Sequence, residues 1–298
     1  MKTRILAVPP TLTLGLTLAA SLTMTAPVAM ANPGDRLAEV VSAPVRDCAA
    51  GWNSNMPLIA WGADGVVAYA NGASLENQGG ALGAAGLPLS LSVVDSFEDL
   101  LGAYLSCDTP YLRGTLGMLA AAAPVTEGDP RTEQIVFFKH SFSAGDGIVV
   151  ADGIDRIADL AGKRIAIQAN GPHVDFVGRI LADGGVSFDD IEIVWVADLT
   201  GDGDTPSAAI AEGRADAAAV ILPDARFLTS GGTVGTGAEG SIQGSTILIS
   251  TQEAASVIGD YIAVRADYFD ANRDDIARMV NILFQAEEEM RGFMAREG

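Results

Sequence analysis

The chain has 298 residues, of which 49% are hydrophobic, with a formal net charge of −20, two cysteines and two histidines. Its mean hydropathy is +0.28, so it carries enough apolar surface for one large domain or two modest ones and is not a disordered chain. The negative charge makes nucleic acid and anionic lipid poor partners, and two cysteines with two histidines are a poor basis for structural zinc.

Residues 1–31 read as a secretory signal peptide. Lys2 and Arg4 form the basic start, Ile5 to Met24 is apolar, and Ala29-Met30-Ala31 is a small-x-small cleavage site. A retained anchor is the competing reading, but Pro9, Pro10 and the cleavage site favour removal and an exported mature chain from about Asn32. Export places Cys48 and Cys107 in an oxidising compartment. The sequence leaves open whether they form one disulfide or two unpaired buried thiols.

After a polar lead-in from Asn32 to Asn55, Pro57 to Trp61 reads as a buried strand ending at Gly62. A Gly/Ala-rich stretch from Asp64 to Ala85 has weak helical character, and Pro88 to Val94 alternates as a strand. Ser96 and Asp99 resemble a capping box opening a helix through Leu105. Leu112 to Ala123 reads as a second helix stopped by Pro124. Further strands are expected at 135–138, 147–150, 164–168, 191–196, 217–222, 247–250 and 261–264. Helices are expected at 172–183, 206–212, 224–228 and from Asn272 to about Ala295. Strands alternating with helices predict α/β architecture with parallel sheets.

Enzyme signatures are sparse. Gly235 to Gly240 matches G-x-G-x-x-G but neither follows a clear strand nor opens a helix, so it reads as a flexible loop. Asp198, Asp202 and Asp204 cluster without the spacing of an EF-hand and read as a solvated acidic loop. Four loops suit binding better. Asn170-Gly171-Pro172-His173 follows a buried strand and opens a helix, where free N–H groups accept an anion, although an ordinary connection looks the same. His173 is a candidate donor to a ligand, or else a cap or a solvent-facing group. Thr205-Pro206 repeats the N-cap arrangement. Ser141 to Asp146, with Ser143 and Gly145, lies between two strands as a crossing between domains or a plain hairpin turn. Trp61-Gly62 ends the first strand, at the edge where open α/β sheets place ligands. Arg113 suits bidentate contact with an anion, or equally an internal ion pair.

Three segments carry a family resemblance: IADLAGKRIAIQANGPH at 157–173, AAIAEGRADAAAVI at 208–221 and IAVRADYFDANRDDIARMV at 262–280. Over residues 57–295 the chain resembles periplasmic solute-binding proteins of the SsuA/TauA/THI5-like (NMT1-like) group. The resemblance implies a two-lobed periplasmic-binding-protein type II fold, each lobe a mixed sheet flanked by helices. One lobe would comprise 32–140 and a return segment 244–298, the other 141–243. It further implies a monomer without cofactor or covalent chemistry, which carries a small anionic or zwitterionic solute (sulfonate, nitrate, phosphate or thiamine precursor) to an ABC permease in the inner membrane. The positions carried to the cleft are Trp61, Gly62, Ser143, Asn170, Gly171, His173, Thr205 and Asp224. The rival readings are a sensor or envelope interaction module on the same fold and, below it, an enzyme of the THI5-like pyrimidine-synthesis type.

Overall fold

A computed structural model describes residues 37–49, 51–60, 64–76, 79–254 and 256–297. The expected signal peptide lies outside the described residues, as do Trp61 and Gly62. The elements run α1 (Leu37–Val40), β1 (Asn55–Leu58), α2 (Gly65–Ala70), α3 (Gly80–Ala84), β2 (Ser90–Val93), α4 (Phe97–Ser106), β3 (Tyr111–Thr115) and α5 (Leu116–Thr126). Next come β4 (Gln134–Phe142), β5 (Asp146–Val150), β6 (Arg164–Gln168), α6 (His173–Asp183), β7 (Glu192–Val196), α7 (Pro206–Ala211), β8 (Ala217–Ile221) and α8 (Leu222–Leu228). The chain closes with β9 (Thr246–Ser250), β10 (Gly259–Arg265), α9 (Ala266–Ala271) and α10 (Arg273–Glu297).

One lobe is built on a five-stranded sheet of order β7-β6-β8-β5-β9. Strands β6, β7 and β8 run parallel, whereas β5 is antiparallel to both β8 and β9, so the sheet is mixed rather than purely parallel. Its strands are apolar on both faces because helices cover both. Ile165 and Ile167 of β6 point into a core with Phe176, Val177, Ile180 and Leu181 of α6. Ala166, between them, faces Ala209 and Ile210 of α7 and Ala225 of α8.

The other lobe holds a parallel pair, β1-β2, and an antiparallel sheet of order β3-β10-β4. Ile276, Met279, Leu283 and Ala286 recur every three or four residues along α10 and pack onto Met56, Val67, Leu82 and Phe138. A second cluster joins Leu100, Leu101, Tyr104 and Leu105 of α4 to Met118, Leu119 and Ala122 of α5. Cys48 and Cys107 form a disulfide with Cα atoms 5.3 Å apart, tying the lead-in to the end of α4.

Three expectations are corrected. Residues 111–115 are strand, because Tyr111 to Thr115 pair in continuous register with Val264 to Asp260 of β10. The helix begins only at Leu116 and continues to Thr126, so Pro124 removes one backbone hydrogen bond but does not stop it. Of the two readings of Ser141 to Asp146 the structure shows the crossing, since β4 pairs with β10 while β5 pairs with β8 and β9. The chain therefore passes there from one sheet to the other. Its return passage follows β9, which belongs to the five-stranded sheet, whereas the boundary at 243/244 places that strand with the opposite lobe. The loop read as flexible is pinned: the Gly235 N–H donates to the Ser245 carbonyl and the Gly244 N–H to the Gly235 carbonyl, both at 2.8 Å.

Candidate functional site

The carboxyl ends of β6 and β7 open onto the first turns of α4 and α5. Between them lies a recess of about 130 Å³. Ile59 and Ala60, just past β1, and Asp95, Ser96, Phe97 and Met118 line one side. The opposite side is the run from Gln168 to Pro172 and the segment from Ala197 to Thr200. A second recess of about 120 Å³ adjoins it, lined by Gly117, Met118, Ala121, Asn170, Gly171, Val174, Asp175 and Trp195.

Local sequence explains why two helix starts face this space. Ser96 N-caps α4, its hydroxyl accepting from the Asp99 N–H at 3.1 Å. At the start of α6, Asn170 holds φ +52, a left-handed conformation that asparagine tolerates better than most residues. This turns the chain from β6 into the helix. Gly171 follows, where a Cβ would strike the Gln168 amide. The Nδ2 of Asn170 donates to Glu98 Oε1 at 2.6 Å, joining α4 to this loop. Among the lining residues of both recesses the charged side chains are Asp95, Asp175 and Asp198.

Among the described candidates from the sequence, the structure brings Asn170, Gly171 and the adjoining Pro172 to these recesses, together with Asp198 of the loop read as solvated. Arg113 is engaged elsewhere, lying on β3 at 1% exposure. It donates through Nε to Asp64 at 2.9 Å and through Nη1 to Asp260 at 2.6 Å. Burial pushes the Asp260 carboxyl up from its ordinary value, against the pull of Arg113. Thr205 caps α7, accepting from the Ala208 N–H at 3.1 Å, and Asp224 accepts from Ser207 at 3.0 Å. These two contacts fasten α7 and α8. The Gly145 carbonyl accepts from the Leu222 N–H at 2.6 Å.

Ser143 and His173 meet at Asp146. The Ser143 hydroxyl donates to one carboxylate oxygen, and His173 Nε2 lies 2.9 Å from the other. Thr251 Oγ1, from the return passage, accepts from the Asp146 N–H at 3.0 Å. The residue types match a hydrolase triad, but the order does not. The carboxylate separates hydroxyl from imidazole, so the histidine cannot take the serine proton. His173 is fully buried, and the group secures the passage between sheets. Among the described residues, no three His, Cys, Asp or Glu side chains are grouped to hold a metal ion.

Sequence reasoning missed Asp95, Ser96, Phe97 and Met118. Ser96 was legible as a helix start behind the strand 90–93, the same pattern that singles out Asn170. Met118 was hidden because residues 111–115 read as helix, which moved the true start of α5.

The family model described as NMT1/THI5 like matches residues 137–291. The chain belongs to the NMT1/THI5-like family. Solved structures show the same two-lobed type II architecture at low identity. The alkanesulfonate-binding protein SsuA from Xanthomonas axonopodis pv. citri, bound to MOPS, is 19% identical over 83% of this chain and 77% of that one, with TM-score 0.57. A zinc-bound ligand-binding component of an ABC-type import system from Staphylococcus aureus is 10% identical over 79% and 74%, with TM-score 0.56. The desulfurization enzyme DSZB is 16% identical over 78% and 74%, with TM-score 0.50. At such identities the likeness is one of fold, and this fold serves both binding and catalysis. No curated protein matches the chain.

Proposed function

We propose that this NMT1/THI5-like protein is the extracytoplasmic solute-binding component of an ABC importer. It captures a small solute between its lobes and delivers it to a permease in the inner membrane. The observation that carries this reading is the recess between strand ends of the two lobes, with the first turns of α4 and α6 facing into it. Helix starts present N–H groups to an oxyanion without any cationic side chain. Asp95 and Asp198 at the same recess disfavour a multiply charged anion and suit a zwitterion, whose ammonium end they can meet. Two of the similar structures are described as an alkanesulfonate-binding protein, bound to MOPS, and as the ligand-binding component of an ABC-type import system. The Ser143–Asp146–His173 order supports binding over hydrolysis.

The test is thermal shift followed by calorimetry against an aminosulfonate, an alkanesulfonate, nitrate, phosphate, amino acids and pyrimidines. A ligand at a hundred times its Kd stabilises the fold by about 2.7 kcal/mol, a readily measured shift. Folded protein that responds to none of them would overturn the reading.

A further inference from the structure

The start of α5 is already occupied by a carboxylate, and that carboxylate comes from the other lobe. Asp175, in the first turn of α6, accepts from the Thr115 hydroxyl at 2.8 Å and from the Gly117 N–H at 3.1 Å, both through Oδ2. Thr115 ends β3 and caps α5, its oxygen accepting from the Met118 N–H at 3.2 Å. The hydroxyl thus serves its own helix as acceptor and Asp175 as donor. Gly117 makes the approach possible, because a Cβ there would overlap the Asp175 carboxylate itself. The carboxylate lies within the first turn of its own helix and against the first turn of α5, so two helix dipoles favour its charge. No arginine or lysine is paired with Asp175 among the described residues. The ion is held by N–H and O–H donors alone, as a bound oxyanion would be.

We propose that Asp175 is a specificity-determining latch: an internal anion that fills the α5 start, bridges the two lobes, and denies that helix start to the oxyanion of a solute. A solute anion is left the starts of α4 and α6, so the recess reads its ligand from those two elements. Asn170 and Glu98 form a second, weaker bridge between the same lobes, with the amide as donor. The effect on solute affinity rests on the solute-binding reading, whereas the effect on lobe closure does not.

Small-angle scattering of the solute-free full chain tests the latch directly. Asp175→Ala removes the anion, and Gly117→Ala fills its seat. Each is expected to shift the closed-to-open ratio by roughly a hundredfold or more toward open, as two charge-assisted hydrogen bonds warrant, and to raise the radius of gyration. The double variant should be no more open than Asp175→Ala alone, since the added methyl then displaces nothing. Circular dichroism confirms folding, and Asp175→Leu, which offers no acceptor, replaces either variant that fails to fold. Scattering curves of the folded variants that superimpose on wild type would overturn the latch, as would additive opening in the double variant. Taurine then serves as the probe solute. Latch variants that open without binding taurine or any solute refute the transport reading and leave the latch standing.

Discussion

Removing the Arg113 guanidinium is the sharpest test of how the site residues have been divided. Arg113 lies at 1% exposure between Asp64 and Asp260, whose side chains are 6% and 5% exposed. Arg113→Met keeps the volume and leaves two carboxylates buried without their cation. Breaking a buried pair in this way costs about 3–5 kcal/mol, most of it the penalty of the stranded partner rather than the worth of the bond. For a chain of this size that is roughly 6–20 °C in Tm. Burial already pushes the Asp260 carboxyl up in the intact protein, and the substitution pushes it further. A carboxyl raised on folding stabilises the fold below its unfolded pKa, and that contribution is lost as pH rises through the folded value. The deficit of Arg113→Met is therefore largest at neutral pH and shrinks toward about pH 4. Thermal melts across that range provide the assay, with Arg113→Met/Asp64→Asn/Asp260→Asn expected to recover much of the loss. An unchanged Tm together with abolished solute binding would refute the argument and place Arg113 on the ligand.

Three further outcomes follow from other parts of the structure. Replacing Cys48 and Cys107 by serine opens a link across a sequence separation of 59. Loop-closure entropy puts the loss near 4 kcal/mol, and equal melting temperatures with and without the disulfide would contradict it. Gly235→Ala drives a methyl into the Ile242 carbonyl, and should destabilise the protein by about 1–3 kcal/mol in denaturant titrations. A neutral result would mean that the loop is not pinned. The side-chain hydrogen bond from Arg131 holds the Asp129 carboxyl at about 2, and that from Arg164 lowers Asp216. Depressed carboxyls contribute stability above their unfolded pKa and lose it as pH falls through the folded one. Carbon-detected NMR titration should therefore find Asp129 still ionised at pH 3, and Arg131→Gln should return it toward the ordinary carboxylate range.

Much of the frame was legible in the sequence because local rules and tertiary demands agreed there. The strand at 164–168, the helix start at Asn170 to Pro172, the Ser96 cap and the Thr205 cap all lie where turn chemistry and apolar spacing put them. The stretch at 111–115 shows the limit of that reasoning. Tyr-Leu-Arg-Gly-Thr has no strong local preference, and pairing with β10, more than 140 residues later, makes it a strand. That one assignment set the start of α5, and with it Met118 and Gly117 at the recess.

The division among polar residues was tertiary in the same sense. Ser143 and His173 are 30 positions apart and become partners only because Asp146 lies between them at the passage between sheets. Arg113 finds its carboxylates on segments 49 and 147 residues distant. Residue type and spacing alone determined that the chain is an α/β protein, acidic throughout, with helix starts suited to oxyanions. Long-range packing decided which helix starts face a common recess and which one is already filled by Asp175. Side-chain charge is a property of the residue, but whether that charge serves the fold or a ligand depends on what folding brings within 3 Å of it.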